Sequence, residues 1–215
     1  MVEPTHARGI PSDAAAGAAL LAIARSERTP SQAIRDAGLI DAIPEIAALA
    51  TTPQDPHWHP EGDVLVHSLW AADLAAAYAD EHDVDNERRA LLVLAALLHD
   101  IGKPDTTTRK DSRISSHGHA ERGADVIRSM GRRMRLPQPL VTAAAAIAAT
   151  HMAHVSVQGT PSARAVRRLR TRLEAAGTTL ADWAVIVRCD GEARGAAARP
   201  DASIPWLRVA QMLDR

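Results

Sequence analysis

Ala90-Leu91-Leu92-Val93-Leu94-Ala95-Ala96-Leu97-Leu98-His99-Asp100-Ile101-Gly102-Lys103 begins as the most apolar run of the chain and closes on an imidazole, a carboxylate and an ammonium. A run from Ala90 to Leu98 with no polar face predicts a helix buried on every side. Asn86 is read as its cap, with Gly102 and Pro104 as its stop. His99 and Asp100 then fall at the end of a buried helix, where an unpartnered carboxylate and ring are costly to desolvate. A cation removes that cost for both. Adjacent residues differ by about 100° around a helix, so both face one ion only near a helix end. Gly102 is expected to permit a sharp exit, and Lys103 to aim its charge at a phosphate.

The same patterning extends outward. Ser12 or Asp13 caps a helix running to about Arg25, and Ser31 caps a short one that Gly38 ends. Leu39, Ile40, Ile43, Ile46 and Leu49 continue an apolar stripe at helical spacing. Pro53, Pro56 and Pro60 make 51–62 a loop, after which Asp63 starts a helix carrying Leu65, Val66, Leu69, Leu74 and Tyr78. Residues 105–118, polar and rich in threonine and serine, are read as a mobile loop and a candidate lid. Helices follow at about 119–134, 138–153, 162–176 and 180–193, with a short last one after Pro205. Pro137, Pro161 and Pro205 stand at or near helix starts, where the missing N–H costs nothing. No period-2 alternation and no internal repeat is found. The expectation is an all-α chain, with 1–30 a tail (its first ten residues frayed) and helical extension, and 31–215 the domain proper.

Composition narrows the function classes. A chain of 215 residues is long enough for one well-buried core, and 46% hydrophobic residues exclude wholesale disorder. A formal net charge of −1 argues against a general polyanion binder. Ten histidines favour metal binding or proton transfer. The single cysteine, Cys189, excludes an internal disulfide and a Cys-rich zinc module, suits a reducing cytoplasm, and is read as a small core residue. No apolar run of about 18 residues and no signal peptide is seen, so no membrane contact is expected. The four tryptophans are scattered and read as core or interface anchors, not as a base-stacking platform. Arg164, Arg168 and Arg172 share a helix face at i, i+4 spacing and, with Arg132, Arg133 and Arg135, are candidates to contact an RNA backbone. A solvated arginine face is the competing reading.

Further candidate ligands recur near the ends of apolar helices. His67 lies about one turn into its helix, and His119 opens another, with Glu121 and Gly123 following. His151 ends the Ala-rich helix, with His154 just beyond, and Asp190 ends the run Trp183 to Val187. One at a time these are satisfied end-of-helix residues; together, in a bundle that converges them, they favour a metal site. Such a set without thiolates suits one or two divalent ions, with Mn, Ni, Co, Fe, Zn and Mg all compatible. His57 and His59 are read as structural, capping the helix after them, and of His117 and His119 only the second as a ligand. His82–Asp83 repeats the dipeptide in a polar stretch and is read as a solvated pair.

His67, His99–Asp100 and Asp190 resemble the H…HD…D pattern of the HD superfamily of metal-dependent phosphohydrolases. His119-Ala-Glu-Arg-Gly123-Ala resembles the third-histidine motif of its binuclear members, and His151 falls where a fourth is expected. The closer likeness is to the C-terminal HD domain of bacterial tRNA nucleotidyltransferases (CCA-adding enzymes). It rests on Gln54-Asp55-Pro56-His57-Trp58-His59-Pro60-Glu61-Gly62-Asp63-Val64, Leu97 to Lys103, and Cys189-Asp190-Gly191-Glu192-Ala193-Arg194-Gly195, and covers roughly residues 31–196. The resemblance implies an HD helical bundle standing alone, since a polymerase head needs a Gly-Ser-type loop and a strand-borne carboxylate pair for which there is no room. Nucleotide addition is therefore not expected. It also implies that His67, His99, Asp100 and Asp190 hold a first ion and His119 and His151 a second. Asp100 would bridge the two or orient the nucleophile, and Lys103 would stabilise phosphate charge. His117, Glu121 and Arg194 are implied substrate contacts. The implied activity is a phosphodiesterase or phosphatase on nucleotides or RNA ends, 2′,3′-cyclic phosphates among them. The alternatives are a (deoxy)nucleotide or dinucleotide phosphohydrolase and a non-catalytic RNA- or protein-binding module.

Overall fold

The computed structural model describes residues 11–111, 113–157 and 159–215; the tail expected at residues 1–10 lies outside them. The first helices are α1 (Asp13–Ser26), α2 (Pro30–Asp36), α3 (Leu39–Ala42), α4 (Pro44–Ala47), α5 (Val64–Glu81) and α6 (Asn86–Leu98). After them come α7 (Lys103–Thr106), α8 (His119–Arg133), α9 (Gln138–Ala148), α10 (Ala163–Glu174), α11 (Leu180–Glu192) and α12 (Ile204–Leu213). The fold is an all-α bundle, as the patterning predicts. Helix α6 is its axis: α1, α5, α9 and α11 all pack on it, and every residue from Arg89 to Leu98 is buried. That surround is why its sequence carries no polar face. Arg89, a cation enclosed with that helix, donates to Asp80 and to the carbonyls of Ala76 and Glu27, which offsets the cost of burying it. Trp183 of α11 and Trp206 of α12 pack together in the core, whereas Trp58 and Trp70 are exposed.

Several helix starts differ from expectation by a residue or two. Ser12 does cap α1, and Asp63 caps α5 by accepting from the Val66 N–H at 2.9 Å. Helix α6 is capped by Asp85, not Asn86: its carboxylate accepts from the N–H groups of Glu87 and Arg88, both at 3.0 Å. Ser31 does not cap α2. Pro30 sets the first turn, and the Ser31 hydroxyl donates to Asp73 of α5 at 2.6 Å. His59 does not cap α5, since Asp63 has that role, and it bonds Glu61 instead. Gly38 ends α2 in the left-handed conformation, φ 66°, which a side chain rarely adopts. The Ala-rich helix stops at Ala148, and His151–His154 form a separate 3₁₀ turn.

The largest departure lies at 105–118, expected to be an unstructured loop. Helix α7 runs to Thr106, and Thr108–Lys110 then pairs antiparallel with Arg113–Ser115, in register Thr108↔Ser115, Arg109↔Ile114 and Lys110↔Arg113. Three-residue strands of mostly polar side chains carry no alternation to read.

Gly102 also plays another part than expected. Its φ is −86°, open to any residue, so the turn does not demand glycine. What demands it is proximity: a Cβ there would lie 2.2 Å from the His119 carbonyl oxygen and 2.4 Å from the Gly123 nitrogen. The turn after α6 thus lies directly against the first turn of α8, which brings Asp100 to His119.

Candidate metal centre

Five segments deliver side chains to one point. His67 comes from the second turn of α5, His99 and Asp100 from the end of α6, and His119 from the start of α8. His151 comes from the turn after α9, and Asp190 from the last turn of α11. All six are buried, at most 9% exposed. Asp100, His119, His151 and Asp190 line a cleft of about 1330 Å³, with His67 and His99 enclosed behind them.

The donors form two groups that share Asp100. In the first, His67 Nε2 lies 3.3 Å from His99 Nε2 and 3.2 Å from Asp190 Oδ1, and His99 Nε2 lies 3.3 Å from Asp100 Oδ2. In the second, His119 Nε2 lies 3.2 Å from His151 Nε2 and 3.3 Å from Asp100 Oδ1, with His151 Nε2 at 3.7 Å from that oxygen. A divalent ion with ligands at about 2.1 Å holds neighbouring donors about 3.0–3.5 Å apart. The separations of 3.2–3.3 Å fit that spacing, whereas His151 to Asp100 at 3.7 Å, and His67 to Asp100 and His99 to Asp190 at 3.9 Å, are wider.

The opposite ring nitrogens explain why the Nε2 atoms face inward. Nδ1 of His99, His119 and His151 donates to the carbonyls of Ala96, Ser116 and Ala148, each at 2.7 Å. In its neutral form each ring therefore turns an Nε2 lone pair to the centre. His119 and His151 would set two lone pairs against each other at 3.2 Å, repulsive unless a cation or proton intervenes. His67 Nδ1 instead faces Glu61 Oε1 at 2.8 Å, and His59 reaches the same oxygen at 2.8 Å. Glu61 and His59 were not marked as site residues by the sequence. Glu61 sits in a loop of Pro and Gly, and only the fold closes that loop onto α5.

The charges agree. Burial opposes ionisation of Asp100, yet Lys103 and His99 hold its carboxyl well below the usual carboxylate range. Asp190 is likewise held low against burial by His67, His99 and Arg194. Burial pushes His67 down, but Asp190 and Glu61 outweigh it and raise the ring to about 9. Burial, with His99 close by, drives His151 down to about 3, and burial with Lys103 drives His59 to about 4. The cluster thus favours positive charge at its centre while keeping some rings neutral, which is the electrostatic setting of a cation site. Imidazoles and carboxylates without thiolates suit borderline divalent metals.

Around the centre, Lys103 is not solvated: its ammonium donates to Asp100 Oδ2 at 2.5 Å and to Gln54 Oε1 at 2.7 Å, which leaves one N–H. Arg194, read as a substrate contact, pairs with Asp190 at 2.9 Å and orients it. His117 and Glu121 are exposed and line the cleft. Of the arginine set, Arg168 and Arg172 line the cleft, whereas Arg164 does not. Arg132, Arg133 and Arg135 lie outside it too, and Arg133 is committed to Asp13 and Glu45. His82 and Asp83 are both exposed, as a solvated pair is, and Cys189 is buried.

A family model described as HD domain matches residues 64–184. The chain is 38% identical over 140 residues to the multifunctional CCA protein of Halorhodospira halophila, covering 63% of this chain and 31% of that protein. It is 35% identical over 127 residues to the multifunctional CCA protein of Thioalkalivibrio sulfidiphilus, covering 59% and 29%. The match thus spans about 30% of the length of these relatives. Among the described residues, no helix is long and apolar enough to cross a membrane.

Proposed function

The chain belongs to the HD-domain family, and from that premise we propose that it is a metal-dependent phosphohydrolase acting on phosphodiesters of nucleotides or RNA ends, 2′,3′-cyclic phosphates included. The observation that carries this reading is the pair of donor groups sharing Asp100, one oxygen to each. His67, His99, Asp100 and Asp190 would hold one ion, and His119, His151 and the other Asp100 oxygen a second. Divalent ions held there would supply Lewis acidity towards water and the phosphoryl oxygens.

The remaining work falls to the chain itself. Hydrolysis adds water across one P–O bond, so the leaving sugar oxygen must receive a proton; His117 and Glu121, exposed in the cleft, are the candidates. Lys103, with one N–H uncommitted, would stabilise charge on the phosphate as a point charge. Glu61 and Arg194 fix His67 and Asp190. A cleft of about 1330 Å³ exceeds the roughly 300–1000 Å³ of ordinary small-molecule sites and supports a substrate at least nucleotide-sized. Likeness to multifunctional CCA proteins supports substrates carried on RNA ends.

The test is a hydrolysis assay on metal-stripped protein reloaded with Mn, Ni, Co or Mg. Substrates are bis-p-nitrophenyl phosphate and adenosine 2′,3′-cyclic phosphate, with His99→Ala and Asp100→Ala alongside. Metal-dependent turnover lost in both variants is the expected result. Full metal loading with no turnover of either phosphodiester would reject this reading in favour of a binding module.

A further inference from the structure

Trp58 is out of place for a core anchor. It is 47% exposed and belongs neither to the apolar core nor to the side chains packed against it. Leaving so large a ring in water forgoes its burial free energy. Yet the loop that carries it is tied down: the backbone N–H groups of Trp58 and His59 both donate to the Asp55 carbonyl, and the Asp55 carboxylate accepts from the His57 N–H at 3.0 Å. The ring lines the cleft whose buried end is the metal centre, and the Arg199 guanidinium lies over it at 4.3 Å from the ring centroid.

Both members of this pair are tied to the centre by short paths. The residue after Trp58 is His59, which bonds Glu61, which bonds the candidate ligand His67. The Arg199 N–H donates to the carbonyl of Gly191 at 2.9 Å, next to the candidate ligand Asp190. The backbone segments that carry a flat aromatic surface and a planar cation are therefore both anchored beside the candidate metal centre. Trp70, the other exposed tryptophan, lies against Gly195 and lines no part of the cleft.

We infer that Trp58 and Arg199 form a stacking subsite for the nucleobase of the substrate, which sets the preference of the site for nucleotidyl over base-free phosphate esters. Every base offers a π-face to an aromatic ring, so the contact is tolerant of base identity. Arg199 adds a guanidinium that can stack or meet a flanking phosphate. The inference rests on the phosphohydrolase reading, because it places the base beside the scissile phosphate.

The experiment compares two substrates with the same reacting group: adenosine 2′,3′-cyclic phosphate and 1-O-methylribose 2′,3′-cyclic phosphate, which lacks the base. The metal-loaded full chain and its Trp58→Ala, Trp58→Phe and Arg199→Ala variants are assayed, and thermal melts check folding. Trp58→Ala is expected to shrink the ratio of kcat/KM between the two substrates by roughly ten- to a hundredfold, mostly through KM, with Trp58→Phe retaining most of it. Arg199→Ala shrinks the ratio less. A ratio that stays at the wild-type value in Trp58→Ala, or a fall of equal size for both substrates, overturns the subsite. Calorimetric titration of adenosine 3′-monophosphate against inorganic phosphate gives a second readout. If neither cyclic ester is hydrolysed, the phosphohydrolase reading fails, and loss of the nucleotide's binding advantage in Trp58→Ala still decides the subsite.

Discussion

At the scale of single residues, the centre depends on groups that aim the proposed ligands as much as on the ligands themselves. Glu61 holds the Nδ1 side of His67, so that Nε2 faces the other donors. Partners of this kind typically account for ten- to a hundredfold in metal affinity. Glu61→Gln is therefore expected to weaken metal binding by about that factor, as read by competition with a chromogenic chelator; unchanged affinity would reduce Glu61 to a packing residue. Lys103→Ala should lower kcat by about a hundredfold or more if its ammonium meets the developing phosphate charge, with Lys103→Arg a poor rescue because the buried slot beside Gln54 suits a point charge. Loss in KM alone would place Lys103 in binding only. Cys189 carries an opposite expectation. Burial pushes its thiol up to about 12, so at pH 8.5 the reactive thiolate is scarce. Iodoacetamide should label the native chain far more slowly than the urea-unfolded one; equal rates would contradict its burial.

At the scale of elements, the decisive contact is the turn after α6 lying on the start of α8. Gly102→Ala places a methyl against backbone atoms of His119 and Gly123, which cannot rotate away. Overpacking of that kind costs about 2 kcal/mol or more. The variant should unfold at lower urea and bind a second equivalent of metal more weakly than the first, because His119 is what the methyl displaces. Equal stability would mean that the two elements separate easily. The elements also show where local signals run out. Asp85 and Asn86 are both competent caps and adjacent, so sequence alone leaves a tie of one residue. Ser31 has the right chemistry for a cap, but Asp73 of α5 takes its hydroxyl, a contact no local rule contains. The strand pair Thr108–Lys110 and Arg113–Ser115 is held by backbone pairing and a Thr107–Ser116 hydroxyl contact, neither of which leaves an apolar pattern.

At the scale of the whole molecule, the centre joins α5, α6, α8, α9 and α11, so whatever fills it should stabilise the entire bundle. An ion at a hundred times its dissociation constant adds about 2.7 kcal/mol, which for a domain of this size corresponds to a rise in Tm of roughly 5–10 °C. Stripping and reloading the chain in a thermal melt should show that rise; an unchanged Tm at full loading would mean that the ion binds the unfolded chain as well as the assembled centre. The sequence by itself determined that the chain is helical, that α6 is enclosed, and which dipeptide, His99–Asp100 and not His82–Asp83, stands in a buried setting. These follow from periodicity and composition, which are properties of neighbours along the chain. Only the tertiary structure decided that donors as distant as His67 and Asp190 lie 3.2 Å apart, that Glu61 and Arg194 orient them, and that Trp58 stands exposed at the cleft. Those facts depend on how helices dock, and docking is set by long-range packing that leaves no trace in local spacing.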